Sequence, residues 1–245
     1  LNPAAYPLVE GCDDELFGWA AVLEQRNLLG RLSIAVPGQA AGLELAHRRH
    51  ASMPWADLCG PAIALAKRGL PVSWHTTLRI AVAAGDLIRF DLAREIYLPA
   101  GVPPAPDPGG APTHLPLGRL PQTLERLAEA GAQDLVDGDL ARMLARDVEA
   151  AGGVLAADDL ARYRARPCEA LLTEHAGATF AAPDGLSAGP TFAHALGLLD
   201  GKIPAGKPGP AAYVAWAEAL RAAYQQRLAT MGDVDLARLG PFGQR

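Results

Sequence analysis

The sequence predicts an α/β chain, mostly helical with a few strands, and three observations carry that prediction. Helical periods with recognisable starts and stops dominate from residue 39 to residue 231. The two-residue alternation of strands is confined to a short apolar run at 33–36 and a hairpin near 169–182. Those strands are too few to build a sheet of their own.

In chain order, residues 1–32 read as irregular, with Gly11-Cys12-Asp13-Asp14 as a turn before a short helix around 15–23. Ser33-Ile34-Ala35-Val36 is then a strand stopped by Pro37-Gly38. Proline has no N–H to give a ladder, and glycine can take the positive φ of a sharp reversal. A helix follows at once over 39–50. Gly42 near its start costs roughly 1 kcal/mol against alanine, which implies a close backbone approach there. Pro54 opens a second helix, and a third runs over 61–68 with Gly69 as its stop. Ser73 is the N-cap of a helix carrying Leu78, Ala81 and Leu87.

The stretch GVPPAPDPGGAP over 101–112 can hold neither a helix nor a central strand, and is a surface loop. Helices resume over 121–130, ended by Gly131, and over 139–151, ended by Gly152-Gly153. Asp158-Asp159-Leu160 starts one more turn. The period then changes, and 169–174 with 179–182 form a β-hairpin through His175-Ala176-Gly177. A helix over 190–199, a Gly/Pro/Lys linker over 201–210 and a helix over 211–231 follow. The last carries Trp216, Leu220, Tyr224 and Leu228 at three- and four-residue steps. No internal repeat is present.

Composition excludes several classes. The 245 residues carry a formal net charge of −5, with no basic excess to neutralise phosphates, so no nucleic-acid partner is expected. No apolar run of about 18 residues exists, so no membrane span is expected. Apolar residues are 50% and charged residues 20%, ordinary for a globular chain. With aromatics at only 6%, alanine, leucine and valine must fill the core. A chain of this length buries roughly 70–75% of its unfolded surface, enough for one or two cored domains. Cys12, Cys59 and Cys168 are isolated and odd in number, so they form no disulfide framework and are expected as buried apolar thiols. The start Leu1-Asn2-Pro3, with neither initiator methionine nor signal peptide, reads as an internal start; the native N-terminus is expected upstream and localisation stays unknown.

Several constellations could carry chemistry. Gly185-Leu186-Ser187-Ala188-Gly189 matches the G-x-S-x-G nucleophile elbow and lies between a predicted strand and a helix, the setting that motif needs. The elbow order requires an acid and then a histidine after the serine. Here His194 follows with no acid between them, one or two turns along the same helix, and Pro183 and Pro190 flank the loop. A serine esterase using Ser187 is therefore a secondary alternative. His47-Arg48-Arg49-His50 offers two imidazoles on one helix, but the arginines between them repel a cation, so a solvated basic helix end is expected and no metal site. Glu218 and Arg221, three residues apart, read as a surface ion pair, and Asp158-Asp159 as a helix start.

The order of motifs resembles the large subunit of the γ-glutamyltransferase family from about residue 32 to residue 232. Val36-Pro37-Gly38 with Ala41-Gly42-Leu43 matches that family's "VPG" turn and "AGL" helix start. Pro54-Trp55-Ala56-Asp57-Leu58 with Pro61-Ala62-Ile63 looks like its "PWAELLAPAI", and Leu70-Pro71-Val72 like its "G-x-P-V". Gly152-Gly153-Val154-Leu155 and Asp158-Asp159-Leu160-Ala161-Arg162-Tyr163 resemble its "GGxLTxEDLAxY", with Ala156 in place of the usual threonine N-cap. Ser187-Ala188-Gly189 falls at its "SSGG", and Glu218, Arg221 and Tyr224 in its "E-x-x-R-x-A" helix. Thr113-His114-Leu115 is like the Thr-Thr-His start of the family's small subunit, yet Pro116-Leu117-Gly118 follows where a strand should, so it is rejected as a cleavage site.

The resemblance implies part of an αββα N-terminal-nucleophile hydrolase sandwich, with residues 1–245 as one portion of a single domain completed by a small-subunit chain. It implies autocatalytic cleavage of a precursor and a threonine at the new N-terminus of that partner. The threonine's own amine serves as base, and a γ-glutamyl amide such as glutathione is transferred or hydrolysed through an acyl-enzyme. The family's carboxylate-binding arginine lies in an "R-E-x-A-P" motif upstream of Leu1, and its nucleophile lies beyond Arg245. No catalytic residue is thus expected in this chain, its substrate-binding residues are unknown, and no metal or cofactor is expected. A related amidohydrolase of the cephalosporin-acylase or oxamate-amidohydrolase type is the first alternative, since it would share every motif quoted; a non-catalytic relative is another.

Overall fold

The computed structural model describes residues 3–13, 19–185, 187–203 and 207–230, and the chain divides into two compact units, Leu1–Ala165 and Arg166–Arg245. In the first unit, strands Leu8–Asp13 (β1) and Trp19–Val22 (β2) pair antiparallel with an irregularity between Leu8 and Cys12. The turn expected at 11–14 and the helix expected around 15–23 are corrected where they are described. Gly11, at φ +106°, lies within β1, residues 19–22 are extended, and residues 14–18 lie outside the described residues. Ladder pairing decided this, and no local pattern announces a ladder partner.

Residues 33–36 are not a strand. They leave a 3-10 turn at Gly30–Leu32, and no strand among the described residues pairs with them. Val36 instead packs against a core cluster of Ala141, Ala145, Val148, Leu155 and Leu160. Gly38 has φ −81°, not the positive value expected, and its N–H closes a tight turn on the Val36 carbonyl at 2.9 Å. Its absent side chain supplies space, because a Cβ at position 38 would overlap the Tyr163 hydroxyl. Helix α1 (Gln39–His50) starts directly afterwards as expected, but Gly42 on it faces open space, so no close approach accounts for it.

Helix α2 (Trp55–Arg68) is continuous where two helices were expected. Pro61 sits inside it and cannot donate to the carbonyl one turn back, a defect worth roughly 3 kcal/mol in an isolated helix. Packing against α5 (Leu120–Ala130) overrides that preference. Trp55 Nε1 donates to the Leu127 carbonyl at 2.8 Å, and Lys67 pairs with Glu125 at 2.6 Å. Gly69, at φ +91°, ends α2 as expected.

The Ser73 hydroxyl accepts from Thr76 N–H at 3.2 Å and caps α3 (Trp74–Leu87). The short helix α4 (Asp91–Tyr97) and the two-residue ladder of Leu70–Pro71 (β3) with His114–Leu115 (β4) carry no signal in the sequence. They enclose a second cluster of Val72, Ile80, Leu98 and Leu115. Residues 101–113 form the irregular loop foreseen for 101–112. Helices α6 (Asp139–Ala150) and α7 (Ala157–Arg162) complete this unit. At α7 the Asp159 carboxylate accepts from Ala156 N–H at 3.0 Å, while Ala156 has no oxygen to return the bond.

In the second unit, Ala170–His175 (β5) and Ala178–Pro183 (β6) form the foreseen hairpin. Ala176 and Gly177 turn it with φ +51° and +78°, the two positive values that match strand twist. Helix α8 (Gly189–Leu199) packs on β5, on β6 and on α9 (Pro210–Thr230). The expected Glu218–Arg221 ion pair does not form; both side chains are exposed. The buried hydrophobic core among the described residues is built from Ala, Val, Leu and Ile, as the scarcity of aromatics requires. The cysteines depart from expectation: Cys12 and Cys168 are exposed and only Cys59 is half-buried, where burial pushes its thiol pKa up. Among the described residues, no helix is long and apolar enough to cross a membrane.

Candidate functional site

Hydrogen bonds tie the described residues of the loop between β6 and α8. Strand β6 ends at Pro183, and Gly185 N–H then donates to the Asp184 carboxylate at 2.7 Å. Gly185 itself takes φ +75°, in the left-handed region that favours glycine. The Ser187 hydroxyl donates to the Pro183 carbonyl at 2.6 Å and accepts from Gly189 N–H at 3.0 Å. Gly189 admits no side chain, since a Cβ there would overlap the Pro183 carbonyl oxygen. From α9, Arg227 donates to the Ser187 carbonyl at 2.6 Å and to the Thr191 hydroxyl at 3.2 Å.

This geometry decides the chemistry open to Ser187. Its proton is committed to a backbone carbonyl and its lone pair to a backbone N–H, and half-buried His194 makes no hydrogen bond to it. A nucleophilic serine needs a base within about 3 Å of its oxygen. The arrangement is a hydroxyl-closed turn leading into a helix. Arg227 was not singled out from the sequence, because 40 residues separate it from Ser187.

The other candidates separate just as clearly. His47 Nε2 lies 2.7 Å from the Met53 carbonyl oxygen, and its ring meets Trp55 edge-on at 5.5 Å. His47 therefore packs in part, while Arg48, Arg49 and His50 are exposed, as expected of a solvated basic helix end. Among the described residues no group of three His, Cys, Asp or Glu side chains could hold a metal ion. Thr113 gives its carbonyl to Val72 N–H at 2.9 Å and His114 lies in β4, so the segment is an internal ladder. Asp158 pairs with Arg162 one turn along α7.

A buried ion cluster was also missed from the sequence. Asp134, with 5% of its surface exposed, accepts from Arg126 Nη2 at 2.8 Å and Nε at 3.1 Å. It also accepts from the N–H groups of Asp139 and Leu140 at 3.2 Å, closing the first turn of α6. The Arg126 hydrogen bonds, with help from the two backbone N–H groups, hold the Asp134 carboxyl down to about 2 against the cost of burial. The signal available was Asp134 lying shortly before a helix start, a position where aspartate caps.

A family model described as gamma-glutamyltranspeptidase matches residues 10–241. Glutathione hydrolase 2 of Arabidopsis thaliana is 32% identical over 213 residues, covering 86% of this chain and 36% of that protein. The Acylase ACY 1 proenzyme of Pseudomonas sp. strain SE83 is 30% identical over 139 residues, covering 57% of this chain and 24% of that one. The chain thus spans about a third or less of the length of these relatives. Among solved structures, the gamma-glutamyltranspeptidase of Helicobacter pylori superposes with a TM-score of 0.77 at 22% identity, covering 94% of this chain and 66% of that chain. That likeness shows the fold: a mostly helical part of the αββα N-terminal-nucleophile hydrolase sandwich. Matched along nearly its whole length, the chain belongs to the gamma-glutamyltranspeptidase family.

Proposed function

We propose that this chain is part of the large subunit of an enzyme that transfers or hydrolyses γ-glutamyl amides. The family match over residues 10–241 carries the reading. The nucleophile in this reading is the N-terminal threonine of a partner chain released from the same precursor, and its α-amine is the general base. The threonine hydroxyl attacks the γ-glutamyl carbonyl, the amide nitrogen leaves with a proton, and the acyl-enzyme passes to water or to an amine. Residues 1–245 act as one portion of a single domain completed by that partner. No group of this chain performs a bond-making step, which agrees with the closed hydrogen-bonding of Ser187.

Co-expression with the remainder of the precursor tests this. The expected result is a copurifying chain that begins with threonine or serine, and release of the chromophore from a γ-glutamyl anilide. A purified enzyme that is complete without a second chain overturns the two-chain reading. The likeness to an acylase proenzyme favours a second reading, in which the acyl group is not γ-glutamyl. Hydrolysis of a cephalosporin side-chain amide with an inert γ-glutamyl anilide selects it. Labelling of Ser187 by a fluorophosphonate would select a serine esterase over both.

A further inference from the structure

Helix α3 is apolar on two opposite faces, and the described residues of this chain cover only one of them. Ile80, Ala84 and Leu87 pack into the cluster of Val72, Leu98 and Leu115. On the other side Trp74, Leu78 and Val82 follow one another at four-residue steps and are 73%, 51% and 72% exposed. Ala81 and Gly85 lie on the same stripe and are exposed as well, and Ile88 extends it just past the helix end. The charged or titratable side chains of α3 are His75, Arg79 and Asp86. A surface helix presents polar residues on its outer side, whereas one that is apolar all round has a second neighbour. Trp74, Leu78, Val82 and Ile88 together present on the order of 500 Å² of apolar surface, as much as the largest patch of an ordinary monomer.

The order of sizes and charges along the stripe identifies what fits it. Bulky Trp74 and Leu78 stand toward the N-terminal end, and small Ala81 and Gly85 toward the C-terminal end. A Cβ at Gly85 would meet nothing within 4 Å, so no contact inside the chain calls for glycine there. Two copies of α3 packed antiparallel about a two-fold axis set Leu78 level with Val82 of the other copy. The same register lays Trp74 over the other copy's Gly85, because the helix advances evenly along its axis. Parallel packing would instead set Trp74 on Trp74 and leave a gap at Gly85. Charge order agrees, since the antiparallel register brings His75 level with Asp86 of the second copy, while parallel packing opposes Asp86 to Asp86 and Arg79 to Arg79. Within the chain Asp86 pairs loosely with Arg89 at 3.6 Å, and Arg89 lies over the Phe90 ring at 6.0 Å. The area suffices too: two such stripes remove about 1,000 Å² from water, the lower bound for a specific but weak interface.

We propose that α3 is a self-association surface, pairing antiparallel with α3 of a second copy of this chain through Trp74, Leu78, Val82 and Gly85. The inference uses only the residues of α3 and stands apart from the functional reading above. The contact is isologous, so it closes at two copies and does not propagate.

Sedimentation velocity of the protein purified with the remainder of its precursor tests this over about 1 to 100 μM. Wild type is expected to pass from one to two copies of this chain per particle, with a Kd on the order of 10 μM. Val82→Glu sets a carboxylate against Leu78 of the other copy and should raise Kd about tenfold or more. Its melting midpoint at low concentration should match wild type, because the Val82 side chain is largely exposed. Gly85→Leu favours the helix but fills the space under Trp74 of the other copy, so it should weaken the dimer; a merely sticky patch would associate more. Register is read by mixing equal amounts of Leu78→Cys and Val82→Cys, each in a background with the exposed Cys12 and Cys168 changed to serine. Mild oxidation should give the mixed disulfide dimer in preference to either homodimer. The wild-type and cysteine measurements answer the question even where Val82→Glu does not assemble. A protein that stays at one copy up to about 100 μM overturns the proposal, whatever covers α3 in its place. So does a dimer that Val82→Glu leaves intact or Gly85→Leu strengthens, or a mixture with no excess of the mixed dimer. Amide turnover is not among the readouts, so failure of the functional reading leaves this result standing.

Discussion

Replacing Asp134 by asparagine preserves the shape of a buried side chain and removes its charge. The wild-type carboxylate sits between Arg126 and two backbone N–H groups at the start of α6. Its pKa falls from 3.8 to about 2, with the Arg126 hydrogen bonds as the largest cause. At roughly 1.4 kcal/mol per pH unit, that difference corresponds to about 2 kcal/mol of folding stability from this carboxylate at neutral pH. A pKa lowered by folding contributes fully above the unfolded value and is lost as pH falls through the folded one. The contribution is therefore complete above about pH 5 and disappears on the way down toward pH 2. Asp134→Asn should be less stable than wild type by about 2 kcal/mol at pH 7, and the two curves should converge in acid. Thermal or urea unfolding at fixed protein concentration from pH 2 to pH 7 measures both. A difference that stays constant across that range, or is absent at pH 7, would refute the assignment of the cluster as an ionised pair.

Three further outcomes follow from the packing. Gly38→Ala drives a methyl into the Tyr163 hydroxyl and should destabilise by about 1–3 kcal/mol; adding Tyr163→Ala should cancel part of that loss in a double-mutant cycle of unfolding free energies. Leu160→Ala empties the centre of the first core cluster, where Leu160 is fully buried, and should cost about 2–5 kcal/mol in urea unfolding. Trp55→Phe keeps most of the ring but deletes the bond to the Leu127 carbonyl at 2.8 Å; a loss near 1 kcal/mol, and faster amide exchange around Leu127, are expected.

Legibility from sequence followed the range of the interactions. The Ser73 cap, the Gly69 and Gly131 stops and the hairpin turn at Ala176-Gly177 were readable because each acts within four residues. The ladder of β3 with β4 was not, since Leu70 and Leu115 meet only in the fold. Pro61 misled for the same reason: its local preference ends a helix, and packing against α5 carries the helix through. Of the site, the loop residues were visible as a motif, and the motif suggested a nucleophile. Its true hydrogen bonds, Ser187 to Pro183 and Arg227 to Ser187, depend on where two distant backbone segments lie.

By itself the sequence determined the helix-rich α/β class, most helix boundaries, the hairpin and, through the order of its motifs, the family. Propensity, capping and motif spacing are written along the chain, so they need no partner to be read. Only the tertiary structure decided that Val36-Pro37-Gly38 is a packing turn seated on Tyr163, that Asp134 is a buried anion, and that Arg227 holds the Ser187 loop. Each of those depends on groups brought together by burial, and burial is a property of the whole fold.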